Sequence, residues 1–85
     1  MKVSVLYFAG LREKLGKGSE EIELPAGIST LAGLRALLVA RGGAWAAALA
    51  EGRNVRVAVN QEMVQREATL GAGDEIAFFP PVTGG

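Results

Sequence analysis

Val55-Arg56-Val57-Ala58-Val59-Asn60-Gln61-Glu62-Met63-Val64 leads on to Gly71-Ala72-Gly73-Asp74-Glu75-Ile76-Ala77-Phe78-Phe79, and no helical stripe interrupts the passage. Val55, Val57 and Val59 alternate as one strand, Asn60-Gln61 supplies a turn, and Met63-Val64 makes a short edge strand. Gly71 to Asp74 forms a tight turn before a last strand over Glu75 to Phe79, with Ile76 and Phe78 on one face. A split βαβ fold needs a second long helix between its late strands, and this stretch offers none.

Upstream, residues 2 to 8 alternate as a strand, with Val3, Val5 and Tyr7 on one face and Lys2, Ser4, Leu6 and Phe8 on the other. A short helical turn follows from Leu11 to Leu15. Gly16 to Ser19 then turns the chain into a strand over Glu20 to Leu24, antiparallel to the first, with Ile22 and Leu24 inward. Pro25-Ala26-Gly27 ends that strand. Ser29 or Thr30 can cap a helix in which Leu31, Leu34 and Leu38 recur at helical spacing, and Gly42-Gly43 closes it. A second helical piece from Ala44 to about Ala50 carries Trp45 and Leu49, with Gly52 placed as its C-terminal cap. The order ββαβββ predicts an α+β domain. A mixed sheet of about five strands has one main helix across one face, which is the architecture of a ubiquitin-like β-grasp.

Eighty-five residues make one small domain. We expect the globular part to span residues 1–79 and an extended tail to occupy 80–85. Lys plus Arg equals Asp plus Glu, at nine each. That balance argues against nucleic acid or an anionic membrane surface as a partner, since both are bound through excess positive charge. The N-terminus alternates rather than forming the apolar run of a signal peptide, and no segment approaches a membrane span, so a cytoplasmic location is expected.

The alternation also points outward. With Val3, Val5, Ile76 and Phe78 facing the helix, Leu6, Phe8 and Phe79 fall on the opposite face, joined by Met63. Aromatic residues clustered on the bare face of a small sheet mark a partner surface unless a loop folds across it or the register differs.

Catalytic constellations are absent. With no His and no Cys the usual general bases, nucleophiles and zinc ligands are missing, no metal site is expected, and no phosphate-cradling Gly-x-x-x-x-Gly-Lys-Ser/Thr loop occurs. Glu20, Glu21 and Glu23 form the densest carboxylate group, and alternation puts Glu21 and Glu23 on the solvent side of the strand, where they read as a solvated face. The Gly71-Ala72-Gly73 and Gly16-Lys17-Gly18 pairs read as turns, because neither opens a predicted helix.

What remains is the tail, Pro80-Pro81-Val82-Thr83-Gly84-Gly85. The prolines hold φ near extended values and donate no backbone hydrogen bond, so the sheet cannot capture the segment. Fully extended, it reaches roughly 20 Å. The glycines leave the last carbonyl without a Cβ on either side, open to a narrow catalytic cleft. An ionised carboxylate is too electron-rich to accept a nucleophile. It must first become a mixed anhydride with a nucleotide, and this chain has neither an ATP site nor a sulfur to attack with. A separate enzyme has to supply both.

Phe78-Phe79-Pro80-Pro81-Val82-Thr83-Gly84-Gly85, with Gly73 to Ala77, Val59 to Val64, and Tyr7-Phe8-Ala9 followed by Leu11-Arg12-Glu13, resembles the small subunits of molybdopterin synthase along the whole chain. The resemblance implies a sulfur carrier. Such chains are adenylated at the C-terminal glycine by an E1-like, ATP-dependent enzyme and converted to a thiocarboxylate. Docked on the large synthase subunit, in a heterotetramer of two small and two large chains, they donate sulfur to cyclic pyranopterin monophosphate to form the molybdopterin dithiolene. On that reading Gly85 carries the sulfur, Gly84 gives access, and Pro80, Pro81, Val82 and Thr83 thread the partner's channel. Phe8, Met63 and Phe79 match positions that contact the large subunit. The chain itself holds no cofactor; the catalytic groups belong to the partner.

Two other readings share the fold. One is a related sulfur carrier, of thiamine biosynthesis or of the ubiquitin-related modifier type; the thiamine carrier is typically shorter through the middle, where this chain has Ala44 to Gly52. The other is a β-grasp interaction module whose terminal glycines carry nothing.

Overall fold

The computed structural model describes residues 1–50 and 55–80. Eight elements follow one another: β1 (Lys2–Tyr7), α1 (Ala9–Leu15), β2 (Ser19–Glu23), α2 (Leu31–Val39), α3 (Gly43–Leu49), β3 (Arg56–Val59), β4 (Glu62–Met63) and β5 (Glu75–Phe79). The strands form one mixed sheet in the order β2-β1-β5-β3-β4. β1 and β5 pair in parallel at the centre, and the other neighbours are antiparallel. This is the expected β-grasp arrangement, with three helices rather than one helix and a shorter piece.

Register explains which residues meet. Val5 lies between Glu20 and Ile76, and Ile76 faces Val59; one step along, Tyr7 pairs with Phe78 and Phe78 with Val57. These inward residues join Leu34, Leu38 and Leu49 in a single core, in which Val5, Leu34, Leu49, Ile76 and Phe78 are completely buried. The stripe of Leu31, Leu34 and Leu38 is what α2 contributes, as its spacing requires.

The start of α2 is closed by hydrogen bonds. Of the two candidate caps, Thr30 is the one used: its Oγ1 accepts from the Gly33 N–H at 3.2 Å. Leu31 N–H donates to Ala68 O and Ala32 N–H to Arg66 O, so the segment between β4 and β5 straps the helix and satisfies donors that a helix start leaves unpaired. Leu70, part of that strap, is buried.

Element ends differ from expectation by a residue or two. β1 stops at Tyr7, and the chain swings out through Ala9, whose φ is +50°. β2 runs from Ser19 to Glu23, leaving Leu24 buried just past its end. α1 is a seven-residue helix in which only Leu11 is buried. α3 begins at Gly43 and is capped by Ala50; the expected cap, Gly52, lies outside the described residues. β4 is Glu62–Met63, one residue earlier than read.

Candidate functional site

The face of the sheet turned away from α2 carries a row fixed by register. Leu6 pairs with Ala77, Ala77 with Ala58, and Ala58 with Met63, from β1 across to the β4 edge. A second row lies one step towards the tail. There the Phe8 and Phe79 rings stack with centroids 4.8 Å apart and planes 7° from parallel, and Arg56 pairs with Phe79 on the other side. Phe8 keeps strand geometry although β1 has ended, because its N–H still donates to Phe78 O. Phe8 is 41% exposed and Met63 58%, so both large apolar side chains meet water in the described chain. A solvated pair of this size beside small residues is the kind of apolar surface that protein contacts cover.

The alternation expected Leu6, Phe8, Phe79 and Met63 here, and the structure brings them to one face. Ala58 and Ala77 were missed, although the same alternation places them outward. Their small side chains make the centre of the face shallow, between the phenylalanines and Met63. Towards the other end the face turns polar, through Ser4, which pairs with Glu21 on one side and Glu75 on the other.

Pro80 follows β5, the middle strand, and is half-buried. Pro80 therefore lies at the centre of the sheet's edge, at the Phe8 and Phe79 end of the apolar face. Pro81, Val82, Thr83, Gly84 and Gly85 lie outside the described residues. Among the described residues no group of three or more metal-ligating side chains converges, and no helix is long and apolar enough to cross a membrane.

Behind the apolar face lies a polar cluster that sequence reasoning missed. Glu20 is not a solvated carboxylate: it accepts the Tyr7 hydroxyl hydrogen bond at 2.8 Å and a bidentate pair from Arg41 at 2.8 and 2.9 Å. Arg41 also lies 4.5 Å over the Trp45 ring, and Trp45 meets Tyr7 edge-on. The Arg41 hydrogen bonds, with help from Tyr7, hold the Glu20 carboxyl below its ordinary pKa, while burial and the Glu20 contact push the Tyr7 phenol up. The cluster ties β1, β2 and α3 together at the end of β1 from which Phe8 projects. The available signal was parity, since Glu20 shares the face of inward Ile22. Glu21 and Glu23 are exposed, as expected.

A second lock holds the opposite end of β5. Asp74 accepts from the Gly71 N–H at 2.7 Å and the Asn60 side-chain amide at 3.0 Å, and Asn60 Oδ1 accepts from the Glu75 N–H. The Asn60 hydrogen bond is the main cause of a lowered Asp74 pKa. The turn reading of Gly71-Ala72-Gly73 holds, and the carboxylate beside it is structural.

Comparison with known proteins agrees with this geometry. The ThiS family matches residues 5–85. The molybdopterin synthase sulfur carrier subunit of Escherichia coli is 43% identical over 83 residues, covering 98% of this chain and 99% of that one. Among solved structures, SAMP1 of Haloferax volcanii superposes with a TM-score of 0.80 at 27% identity over the full length of both chains. The structure of a complex of subunits 1 and 2 of the molybdopterin-converting factor of Helicobacter pylori contains a chain similar to this one, with a TM-score of 0.70 at 26% identity and complete coverage of both.

Proposed function

This chain belongs to the ThiS family, and from that premise we propose that it is the sulfur-carrying subunit of a molybdopterin synthase. The observation that carries the reading is the stacked Phe8 and Phe79 pair beside the root of the tail, in a chain similar over its length to molybdopterin synthase sulfur carrier subunits. A partner gripping that face receives the tail at a fixed place. In the related Helicobacter pylori complex the partner is subunit 2, and a large synthase subunit is the partner proposed here.

The chemistry assigns each step to a site. An E1-like enzyme joins the Gly85 carboxylate to the AMP portion of ATP, releasing pyrophosphate and making the carbonyl electrophilic. A sulfur nucleophile displaces AMP and leaves a thiocarboxylate. Its anionic sulfur is soft and nucleophilic, and covalent carriage keeps it from diffusing away as sulfide. Within the large subunit the sulfur attacks a carbon of cyclic pyranopterin monophosphate and displaces an oxygen substituent from it, water then cleaves the acyl–sulfur bond, and Gly85 returns to a carboxylate. Gly84 opens the approach, and Pro80, Pro81, Val82 and Thr83 span the channel. Phe8, Met63 and Phe79 hold the body outside. Two carriers on two large subunits make a heterotetramer, working in the cytoplasm.

Incubation with the activating enzyme, ATP and a sulfur source should raise the intact mass by one oxygen-to-sulfur exchange, located on Gly85 by fragmentation. A chain with one alanine added after Gly85 should give no sulfur transfer to the pterin. Undiminished transfer by that extended chain would overturn the carrier reading in favour of an interaction module.

A further inference from the structure

Side-chain sulfur in this chain belongs to two methionines, since there is no cysteine. Their surroundings differ. Met1 is half-buried against the core, and its ammonium group donates to Leu24 O at 3.1 Å and pairs with the Glu23 carboxylate at 2.9 Å. Met63 is 58% exposed on β4, the two-residue strand at the edge of the sheet, with Ala58 as its ladder partner. An oxidant dissolved in water reaches the Met63 thioether more readily, because susceptibility to oxidation follows exposure. The aromatic side chains that could compete are less open. Tyr7 is buried, and Trp45 is half-buried with the Arg41 guanidinium over its ring.

Position gives that exposure a consequence. Met63 ends the outward row that runs through Leu6, Ala77 and Ala58, so whatever covers Phe8, Phe79 and the shallow centre of the face also meets this sulfur. A thioether is apolar, unbranched and polarisable, and it fits an irregular apolar surface without demanding a hydrogen bond. A sulfoxide carries a polar oxygen in its place. Its neighbours in the row, Ala77 and Ala58, have no side-chain donor to offer that oxygen, and covering an acceptor without a hydrogen bond costs free energy.

We infer that Met63 is an oxidation site through which a peroxide weakens docking of the carrier on its large subunit. This rests on the docking partner proposed above. The thioether sulfur attacks one oxygen of the peroxide, the O–O bond breaks as the S–O bond forms, and the displaced hydroxide leaves with the remaining proton as water. Sulfur loses two electrons and the peroxide gains them. A methionine sulfoxide reductase reverses the step, two thiols becoming a disulfide as the sulfoxide oxygen leaves as water. The exposure is that of the free chain, so oxidation strikes the carrier between partners.

The test treats the full chain, with Gly85 as a carboxylate so that no carried sulfur consumes oxidant, with hydrogen peroxide that is then removed. Peptide mapping by mass spectrometry should find one added oxygen on Met63 well before Met1. Titration calorimetry against the untreated large subunit should show affinity lowered by about tenfold, the effect of one unsatisfied acceptor in an apolar contact. Methionine sulfoxide reductases with a thiol reductant should restore it. The melting temperature of the oxidised chain should stay close to that of the untreated one, because Met63 lies outside the core. Met63→Leu is compared with itself before and after peroxide, and its affinity should not change on treatment. Oxygen uptake by Met1 as fast as by Met63 overturns the assignment of the site. Unchanged affinity of the Met63 sulfoxide, an equal loss on treating Met63→Leu, or a melting temperature that falls along with affinity overturns the inference while the carrier reading stands. An untreated chain that fails to associate with the large subunit overturns both.

Discussion

Glu20 shows how one residue can sit in an acidic strand and do something different from its neighbours. Its side chain is 13% exposed, against 69% for Glu23, and three partners converge on it: Tyr7, Arg41 and Lys17, the last at a looser 3.7 Å. Because its folded pKa is lowered, the carboxylate adds stability that is fully present above the ordinary carboxylate range and is lost as pH falls through the lowered folded value. Glu20→Gln preserves size and a hydrogen-bond acceptor for Tyr7 but removes the charge. We expect it to cost about 1 kcal/mol at neutral pH, a modest figure because Arg41 is 36% exposed and solvent screens the pair. Urea unfolding at pH 7 and again in acid checks this: the gap between variant and unaltered chain should close in acid. A gap that stays constant with pH would show that the charge is not what Glu20 contributes.

At the scale of elements, the β3–β4 hairpin is where local geometry and sequence disagree. Val59 pairs with Glu62 across a two-residue turn, and Asn60 and Gln61 stand at φ +51° and +71°. Such a turn needs positive φ at both central residues; Asn tolerates it, while a long unbranched side chain does not gain from it. Gln61→Gly should therefore stabilise the domain by about 0.5 to 1 kcal/mol, with the penalty of a freer unfolded chain already set against the relieved strain. A melting temperature that falls would mean that the Gln61 side chain makes a compensating contact. The same hairpin illustrates what the sequence could disclose. Alternation of Val57 and Val59 found the strand, and Asn60-Gln61 found the turn, because period and turn chemistry are local. β5 was placed to the residue for the same reason, with a glycine turn before it and prolines after it. α1 was reduced to a turn because only Leu11 is buried, which leaves no stripe to read. The outer face followed from parity, but the cluster around Glu20 did not, because its partners Tyr7 and Arg41 lie 13 and 21 residues away in sequence.

On the scale of the whole molecule, the core and the proposed docking surface occupy opposite faces of one five-stranded sheet. The core lies between the sheet and the helices and includes neither Phe8 nor Phe79. The outer face is built from residues that alternate with that core, so β1, β3 and β5 contribute to both faces without sharing a side chain between them. Phe79→Glu separates the two. Folding should lose little more than the ring stack with Phe8, about 0.5 to 1.5 kcal/mol, because Phe79 is only half-buried. Binding to the large subunit should weaken far more, by about 2 kcal/mol or more, since the new carboxylate would be desolvated at the centre of an apolar contact. Titration calorimetry against the large subunit, paired with thermal melts of the free chain, measures both quantities on one preparation. A stability loss as large as the binding loss would place Phe79 in the fold's own support and remove it from the docking face; unchanged binding would move the partner to another surface.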